Sequence, residues 1–224
     1  MKRNRCKKIA AALLCMVMGC TTLGQGFSAA AADATTSEEE VEINFAKALQ
    51  MSLYFYDANK CGSGITGGNL EWRGDCHTED AAVPLKPMGE DYKGTNLSQE
   101  FIDAHRDILD PDGDGTIDVS GGMHDAGDHV KFCLPGSYAA STLGWGYYEF
   151  RDAYVDSGQQ WHIEDILHWF NDYYLKCTYF DENGDILAFC YQVGEGNIDH
   201  NYWNAPELQN ESLLDFARPA YFAT

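Results

Sequence analysis

Segments with a helical hydrophobic period, separated by long loops rich in glycine and acidic residues, constrain the fold of this chain most strongly. Over 43–59 and again over 160–177, apolar residues recur every three or four positions, which places them on one face of a helix. Ser98 is typical of a helix N-cap, and Gly158 is typical of the position just past a helix end. Four helices are therefore predicted, over 43–59, 99–109, 135–157 and 160–177. The protein is predicted to be mainly helical, with its chemically active residues in the loops.

The N-terminus has the layout of a secretory signal peptide. Five Lys or Arg residues lie within the first eight positions, an apolar run follows from Ile9 to Gly19, and small residues come next. The apolar run is too short for a membrane span with those flanks. We therefore predict a signal peptide over 1–32, a short acidic linker over 33–42, and secretion without a membrane anchor. A lipid-modified Cys20 is the alternative.

Removal of residues 1–32 would leave a strongly acidic chain. The sequence has 15 Lys plus Arg and 35 Asp plus Glu; five of the cations and none of the anions lie in 1–32, so the net charge becomes −25. A surface of that charge repels phosphate backbones and anionic lipid headgroups, which argues against nucleic acid and membranes as partners. A neutral sugar is not repelled. The 13 Tyr, 11 Phe and 5 Trp suit sugar binding unless most of them are core residues.

The sequence GGMHDAGDHVKFCL, over 121–134, concentrates glycine, carboxylates and histidine in one short segment. Asp125 and Asp128 are separated only by Ala126 and Gly127, which leave room for close approach. Two aspartates so near in sequence cannot flank a sugar ring from both sides. They can hold one water between them, with one carboxylate acting as base and the other orienting the water. The alternative is an Asp-Gly turn whose carboxylates cap backbone N–H groups.

The surrounding sequence resembles a known enzyme family. The stretch DVSGGMHDAGDHVKFCLPGSYAASTLGWGYYEF resembles the N-terminal signature of glycoside hydrolase family 9, the cellulase family of inverting endoglucanases. NFAKALQMSLYFYDANKCG is similar to the family's first helix, WRGDCHTED to its next loop, and VGEGNIDHNYWNAPE to its later substrate loop. These four motifs stand in the family's order and cover about residues 43–224.

The resemblance implies both a fold and a function. The fold is an all-α (α/α)6 barrel, of which this chain would supply the N-terminal part. The function is that of a secreted endo-β-1,4-glucanase that cleaves cellulose or a related β-glucan with inversion. By this resemblance Asp128 is the general base and Asp125 helps to position the attacking water. His200, Tyr202 and Trp203 resemble residues that line sugar subsites, although Trp203 could be a core residue and His200 could cap a loop.

One departure from the family concerns the proton donor. The family's donor is a glutamate far towards the C-terminus of the catalytic domain, and no glutamate here stands in a similar context. The chain therefore resembles the N-terminal portion of such an enzyme, and we expect residues 33–224 alone to be inactive. Cellulosome attachment or carbohydrate-binding modules would lie beyond it. Two alternatives are a non-catalytic carbohydrate-binding barrel and a calcium-dependent adhesion module.

Five cysteines follow residue 32, so they cannot all pair within the chain. Cys61, Cys76 and His77 offer thiolate and imidazole ligands of the kinds that tetrahedral zinc prefers. A Cys61–Cys76 disulfide is the alternative in an oxidising compartment. Cys177 and Cys190 either pair across the turn at 181–185 or remain free.

The family resemblance extends to a structural zinc site. Some members are similar in having a Cys, a Cys-His pair and a further His as ligands. The resemblance implies His124 as the fourth ligand here, with His129 and His105 as the other candidates. Such a zinc ion would hold the 61–77 loop against the segment that carries Asp125 and Asp128.

The acidic sequence DPDGDGTIDVSG, over 110–121, is a second candidate metal site. Its carboxylates occupy positions 1, 3, 5 and 9 of an EF-hand-like calcium loop, namely Asp110, Asp112, Asp114 and Asp118. Position 12, which should supply a bidentate carboxylate, is Gly121, and no exiting helix is predicted. The sequence therefore leaves two interpretations open, a weak calcium site and an acidic solvated turn.

Overall fold

The computed structural model describes residues 43–224. The predicted signal peptide (1–32) and linker (33–42) lie outside the described residues. Within 43–224, no helix has both the length and the apolar character needed to cross a membrane.

Seven helices form in the described part of the chain, and they bear out most of the predicted ones. Their bounds are α1 Phe45–Asn59, α2 Gln99–Ala104, α3 Arg106–Leu109, α4 Cys133–Glu149, α5 Arg151–Asp156, α6 Gln160–Lys176 and α7 Gly196–Asp199. The single helix predicted over 99–109 is interrupted at His105, where φ is −129° and ψ is 24°. The helix predicted over 135–157 is interrupted at Phe150, whose backbone has φ −122° and ψ 34°. That break allows Tyr154 of α5 to pack beside Ile163 in the core.

The helix ends follow local sequence signals. The Ser98 side chain accepts a hydrogen bond from Phe101 N at 3.1 Å, as an N-cap residue should. Gly158 adopts φ +71° just after Ser157, the C-cap residue of α5, a conformation that glycine tolerates and other residues rarely adopt. Pro135 is not the first residue of its helix, because α4 begins at Cys133. It still lies in the first turn, where the missing N–H costs no helical hydrogen bond.

An all-α fold is not confirmed, because two small antiparallel sheets form as well. The strands are β1 Val83–Pro84, β2 Thr116–Ile117, β3 Lys131–Phe132, β4 Thr178–Phe180, β5 Ile186–Val193 and β6 Ala220–Ala223. β1 pairs with β2, while β5 pairs with β3, β4 and β6. β5 carries the β-branched and aromatic residues that favour strands. β6 depends on its pairing with β5, which the spacing of its own residues does not reveal.

Two hydrophobic clusters position the loops that matter for function. One cluster joins α1 to α5 and α6 through Leu53, Tyr154, Ile163, Ile166 and Phe170. The other joins the sheets to α2 and to the C-terminal end of α6. The loop between β2 and β3 forms hydrogen bonds with both α1 and α6. His124 N donates to Asn59 O at the end of α1, and Trp169 Nε1 of α6 donates to Gly122 O.

Helix α4 leaves a broad apolar face uncovered in the described structure. Its exposed side chains include Leu134, Tyr138, Trp145 and Tyr148, each more than two-thirds exposed. A helix that carries apolar residues on several faces is typical of a position surrounded by other elements.

Candidate active site

The segment that carries the two aspartates has a backbone that requires glycine. Gly121 and Gly122 have φ of +93° and +74°, a region that other residues rarely adopt. A Cβ atom at Gly122 would lie 2.8 Å from the Tyr173 ring. Asp125 N donates to Val130 O at 2.9 Å and closes a short turn around the pair. The loop is therefore held in one conformation by its packing on α6.

Asp128 is buried, with 3% of its surface exposed, whereas Asp125 is exposed. Among residues 43–224, no group donates a well-aligned hydrogen bond to Asp128 Oδ2. The imidazole of His200 approaches this oxygen, with Nε2 2.8 Å from it. Partial burial of its carboxyl group and the neighbouring charge of Asp128 raise the pKa of Asp125. Oδ2 is buried beneath that contact, so Oδ1 is the oxygen of Asp128 that retains acceptor capacity for a water molecule.

An aromatic surface covers the segment between the two aspartates. Trp203 is 69% exposed, so the alternative that it is a core residue is wrong. Its Nε1 donates to His200 O at 2.6 Å. A Cβ atom at position 127 would lie 2.6 Å from Trp203 Cζ3, so only glycine allows the indole to lie this close to the loop. The Tyr202 ring meets the His129 ring edge-on, with centroids 5.6 Å apart. The structure therefore brings all five predicted active-site residues together.

The four predicted zinc ligands also lie together, and all are buried. One ligand atom from each of Cys61, Cys76, His77 and His124 falls within 4.8 Å of the others. The Cys61 Sγ–His77 Nδ1 and Cys76 Sγ–His124 Nε2 distances are 3.8 and 3.9 Å. Tetrahedral zinc would separate its sulfur and nitrogen ligand atoms by roughly 3.5 Å. The residue types and their spacing fit zinc, with His124 rather than His129 or His105 in the group.

The state of the two cysteines favours a metal over a disulfide. Cys61 and Cys76 are both free thiols, as are Cys133, Cys177 and Cys190. His77 has φ +46°, a left-handed conformation that is uncommon outside glycine and is retained only where the surroundings enforce it. Cys61 N donates to Gly122 O at 2.9 Å, so the cysteine loop rests directly on the loop that carries Asp125 and Asp128.

The acidic loop brings three of its four predicted calcium ligands together. Carboxylate oxygens of Asp110, Asp112 and Asp114 lie within 4.8 Å of one another. Asp118 does not join them, because its carboxylate pairs with Lys176 Nζ at 3.1 Å. The Asp110 carboxylate accepts from Asp114 N and Gly115 N, both at 3.0 Å. These bonds satisfy the loop without an ion, so calcium binding stays a prediction.

A buried polar network behind the site was not found from the sequence. Arg218 donates to both carboxylate oxygens of Asp80 at 2.9 and 2.8 Å, and Lys131 Nζ lies 2.8 Å from Asp80 Oδ2. Arg218 Nη1 also donates to His129 O at 2.9 Å and to Asp199 Oδ2 at 3.2 Å. Lys131 donates to Val119 O and Gly121 O. The network therefore fixes both ends of the loop that holds Asp125 and Asp128.

A helical scaffold that holds a carboxylate pair beside an exposed tryptophan suits a protein that acts on sugars. Comparison with known proteins identifies the family to which the chain belongs. The model of the family described as glycosyl hydrolase family 9 matches residues 45–224, and the chain belongs to that family.

Relatives of known sequence are endoglucanases. Endoglucanase A of Bacillus pumilus is 32% identical over 189 residues, which cover 84% of this chain and 22% of that protein. Endoglucanase 4 of Bacillus sp. (strain KSM-522) is 33% identical over 180 residues, which cover 80% of this chain and 22% of that protein. The chain thus spans about a fifth of the length of these relatives.

Solved structures of the same family resemble the described fold. The catalytic domain of Clostridium thermocellum CelT matches with a TM-score of 0.74 and 54% identity, over 81% of this chain and 35% of that one. The endoglucanase CelQ from the same organism, complexed with cellotetraose, matches with a TM-score of 0.55 and 30% identity, over 80% of this chain and 22% of that one.

Proposed function

We propose that residues 43–224 form the N-terminal part of the catalytic domain of a secreted endo-β-1,4-glucanase. The substrate is cellulose or a related β-glucan. The observation that carries this proposal is the buried Asp128 carboxylate, whose neighbour Gly127 lies against the exposed Trp203, in a chain of this family. The cellotetraose bound by the related CelQ supports a β-glucan as the substrate class.

In this proposal the two aspartates activate one water molecule. Asp128 accepts the proton of the attacking water through Oδ1, because Oδ2 is buried and His200 Nε2 lies 2.8 Å from it. Asp125 accepts the second water hydrogen and aims the oxygen at the anomeric carbon. The exposed face of Trp203 stacks on a pyranose ring and holds the sugar over the pair. His200 lies beside Asp128 and offers its imidazole to a sugar hydroxyl.

The proton donor is assigned to none of the described residues. An inverting reaction needs a carboxylic acid on the opposite face of the sugar, about 6.5–9.5 Å from the base. Asp125 and Asp128 share one turn and supply only the water-activating side. We propose that further helices complete an (α/α)6 barrel, cover the exposed apolar face of α4 and carry the acid. Polypeptide 33–224 alone is therefore expected to lack meaningful glucanase activity.

Product stereochemistry tests the proposed reaction. A catalytic domain of full family length that includes these residues should release the α-anomer from a β-1,4-glucan, because water attacks opposite the leaving group. Proton NMR of the first products, recorded before mutarotation, measures this. Release of the β-anomer would exclude the water-activating role of the pair. Binding of cello-oligosaccharide without any cleavage would favour the non-catalytic alternative.

Zinc at Cys61, Cys76, His77 and His124 is part of the proposal. When bound, it would stabilise the fold by cross-linking the cysteine loop to the segment that carries Asp125 and Asp128. We expect about one zinc per chain by elemental analysis. Cys76→Ala should abolish stoichiometric zinc and lower the melting temperature, because the remaining ligands cannot close a tetrahedral site.

Cys133→Ala is the matched control for Cys76→Ala. It removes another buried free thiol that lies outside the cluster, so the zinc content should not change. A mass spectrum of native protein with a Cys61–Cys76 disulfide and no zinc would contradict the metal assignment.

Three further expectations come from the sequence and the family resemblance. We propose secretion through the signal peptide over 1–32, and weak calcium binding at the cluster of Asp110, Asp112 and Asp114. Cellulosome attachment or carbohydrate-binding modules would lie outside the described residues.

A further inference from the structure

The side chain of Gln209 lies between the cysteine loop and the segment that carries Asp125 and Asp128. It is 3% exposed, and both ends of its amide are fully engaged. Its Nε2 atom lies 2.6 Å from Asp199 Oδ1 and 2.7 Å from Asp215 O. Its Oε1 atom lies 2.9 Å from His77 Nε2 and 2.8 Å from His129 Nδ1.

The chemistry of these partners fixes the orientation of the amide. The Asp215 backbone carbonyl can only accept a hydrogen bond, so the amide atom beside it must be the NH₂ nitrogen. Oε1 is then the atom that faces the two imidazoles. Because an amide oxygen can only accept, both imidazole nitrogens that contact it must carry protons.

We propose that Gln209 is a positioning residue that fixes the tautomers of His77 and His129. His77 carries its proton on Nε2, which leaves the Nδ1 lone pair beside Cys61 Sγ. His129 carries its proton on Nδ1, and its Nε2 is unprotonated. One buried amide therefore sets the proton positions of two imidazoles that are 52 residues apart in sequence.

For His77, this arrangement prepares a metal ligand, a step that rests on the proposed zinc site. The Nδ1 atom lies 3.8 Å from Cys61 Sγ, on the side of the ring away from Gln209. A ligand histidine that donates its other ring N–H to a neighbouring acceptor has a fixed tautomer and ring orientation. Gln209 provides that acceptor before any metal binds.

For His129, the same amide supports the active-site loop. His129 directly follows Asp128, and its backbone carbonyl accepts from Arg218. The amide also donates to Asp199, which directly precedes His200, the residue nearest to Asp128 Oδ2. Gln209 therefore holds the residues next to Asp128 and next to His200 through its two ends.

The first test needs no substitution. In the full chain without metal, ¹⁵N NMR of the histidine side chains should show His77 protonated on Nε2 and His129 protonated on Nδ1, each as a single tautomer. A His77 proton on Nδ1, or a His129 proton on Nε2, would overturn the proposal. This NMR measurement depends on neither the zinc content nor the activity of the protein.

The second test replaces the amide with an apolar group of similar length. Gln209→Met should produce mixed tautomers at both histidines and weaken zinc binding, measured by chelator competition, about 10–100-fold. Gln99→Met, an exposed glutamine substitution, should change neither the tautomers nor zinc binding.

The outcomes separate the two proposals. Single tautomers in the wild type that become mixed in Gln209→Met support the positioning role even if metal analysis finds no zinc, in which case only the zinc site fails. Unchanged tautomers in a folded Gln209→Met protein would show that the amide does not determine them.

Discussion

Asp128→Asn should lower the rate of hydrolysis by at least about 10²–10⁴-fold, the usual contribution of a general base. The amide has nearly the same shape as the carboxylate, but it cannot take the proton of the attacking water. Asp128 is buried, and its neighbour Gly127 lies against Trp203, where the sugar is proposed to stack. The measurement is kcat on cello-oligosaccharides for a catalytic domain of full family length.

A loss of activity identifies Asp128 as the base only if the variant still binds the substrate. Asp128→Asn should retain cello-oligosaccharide affinity, measured by calorimetry, because Trp203 and Tyr202 still present their aromatic surfaces. Asp107→Asn, an exposed substitution away from the loop, should leave both kcat and affinity unchanged. Near-normal turnover by the Asp128 variant would remove the assignment of the base.

Sequence reasoning located the active-site groups because their residue types stand close together in the chain. Asp125 and Asp128 share one turn, and Cys76 adjoins His77. The local sequence therefore already predicts a carboxylate pair and a set of candidate metal ligands. His124 and Trp203 required the family resemblance, since neither has a neighbour that specifies its role. The structure brings these groups to one place through hydrogen bonds such as Cys61 N to Gly122 O.

The parts that the sequence did not predict depend on pairings between distant segments. Asp80 and Arg218 are 138 residues apart, and nothing in either local sequence indicates a partner. β6 is extended because it pairs with β5, and Gln209 is buried at a junction because two histidines distant in sequence converge on its side-chain oxygen. The helical period of apolar residues identifies the buried face of a single segment, so it does not predict contacts between distant segments.

Contacts between distant segments also explain two features that the local sequence predicted wrongly, the continuous helix over 135–157 and the place of Asp118 in the calcium loop. The apolar pattern continues through Phe150, and only the backbone break there allows α5 to turn and bury Tyr154. Asp118 fits a calcium-loop position by spacing, but Lys176 of α6 lies close enough to pair with it. In both cases a tertiary contact overrides a local signal.

Asp80→Asn should destabilise the fold by about 3–5 kcal/mol, the usual cost of removing one partner from a buried ion pair. Asp80 is completely buried and is contacted by Arg218 and Lys131, whose side chains are also buried. The substitution leaves two buried cations facing a neutral amide. Urea unfolding at pH 7, with zinc content held constant, measures the change.

The pH dependence of this loss follows from the pKa of Asp80. Burial alone would raise that pKa, but the charges of Arg218 and Lys131 hold it well below its usual range. A group whose pKa is lowered on folding contributes stability above its unfolded pKa, about 3.9, and loses that contribution as pH falls through the folded value. The difference between wild type and Asp80→Asn should therefore be largest at neutral pH and shrink below about pH 4.

An exposed ion pair provides the control for this energetic argument. Asp103 accepts from Arg106 at 2.9 Å on the surface of α2, and surface pairs contribute only about 0–1 kcal/mol. Asp103→Asn should thus change stability by less than about 1 kcal/mol at any pH. If Asp80→Asn behaved like this control, the buried network would not stabilise the fold through the charge of Asp80. A large loss at pH 7 that shrinks in acid would instead show that this charge stabilises the folded state.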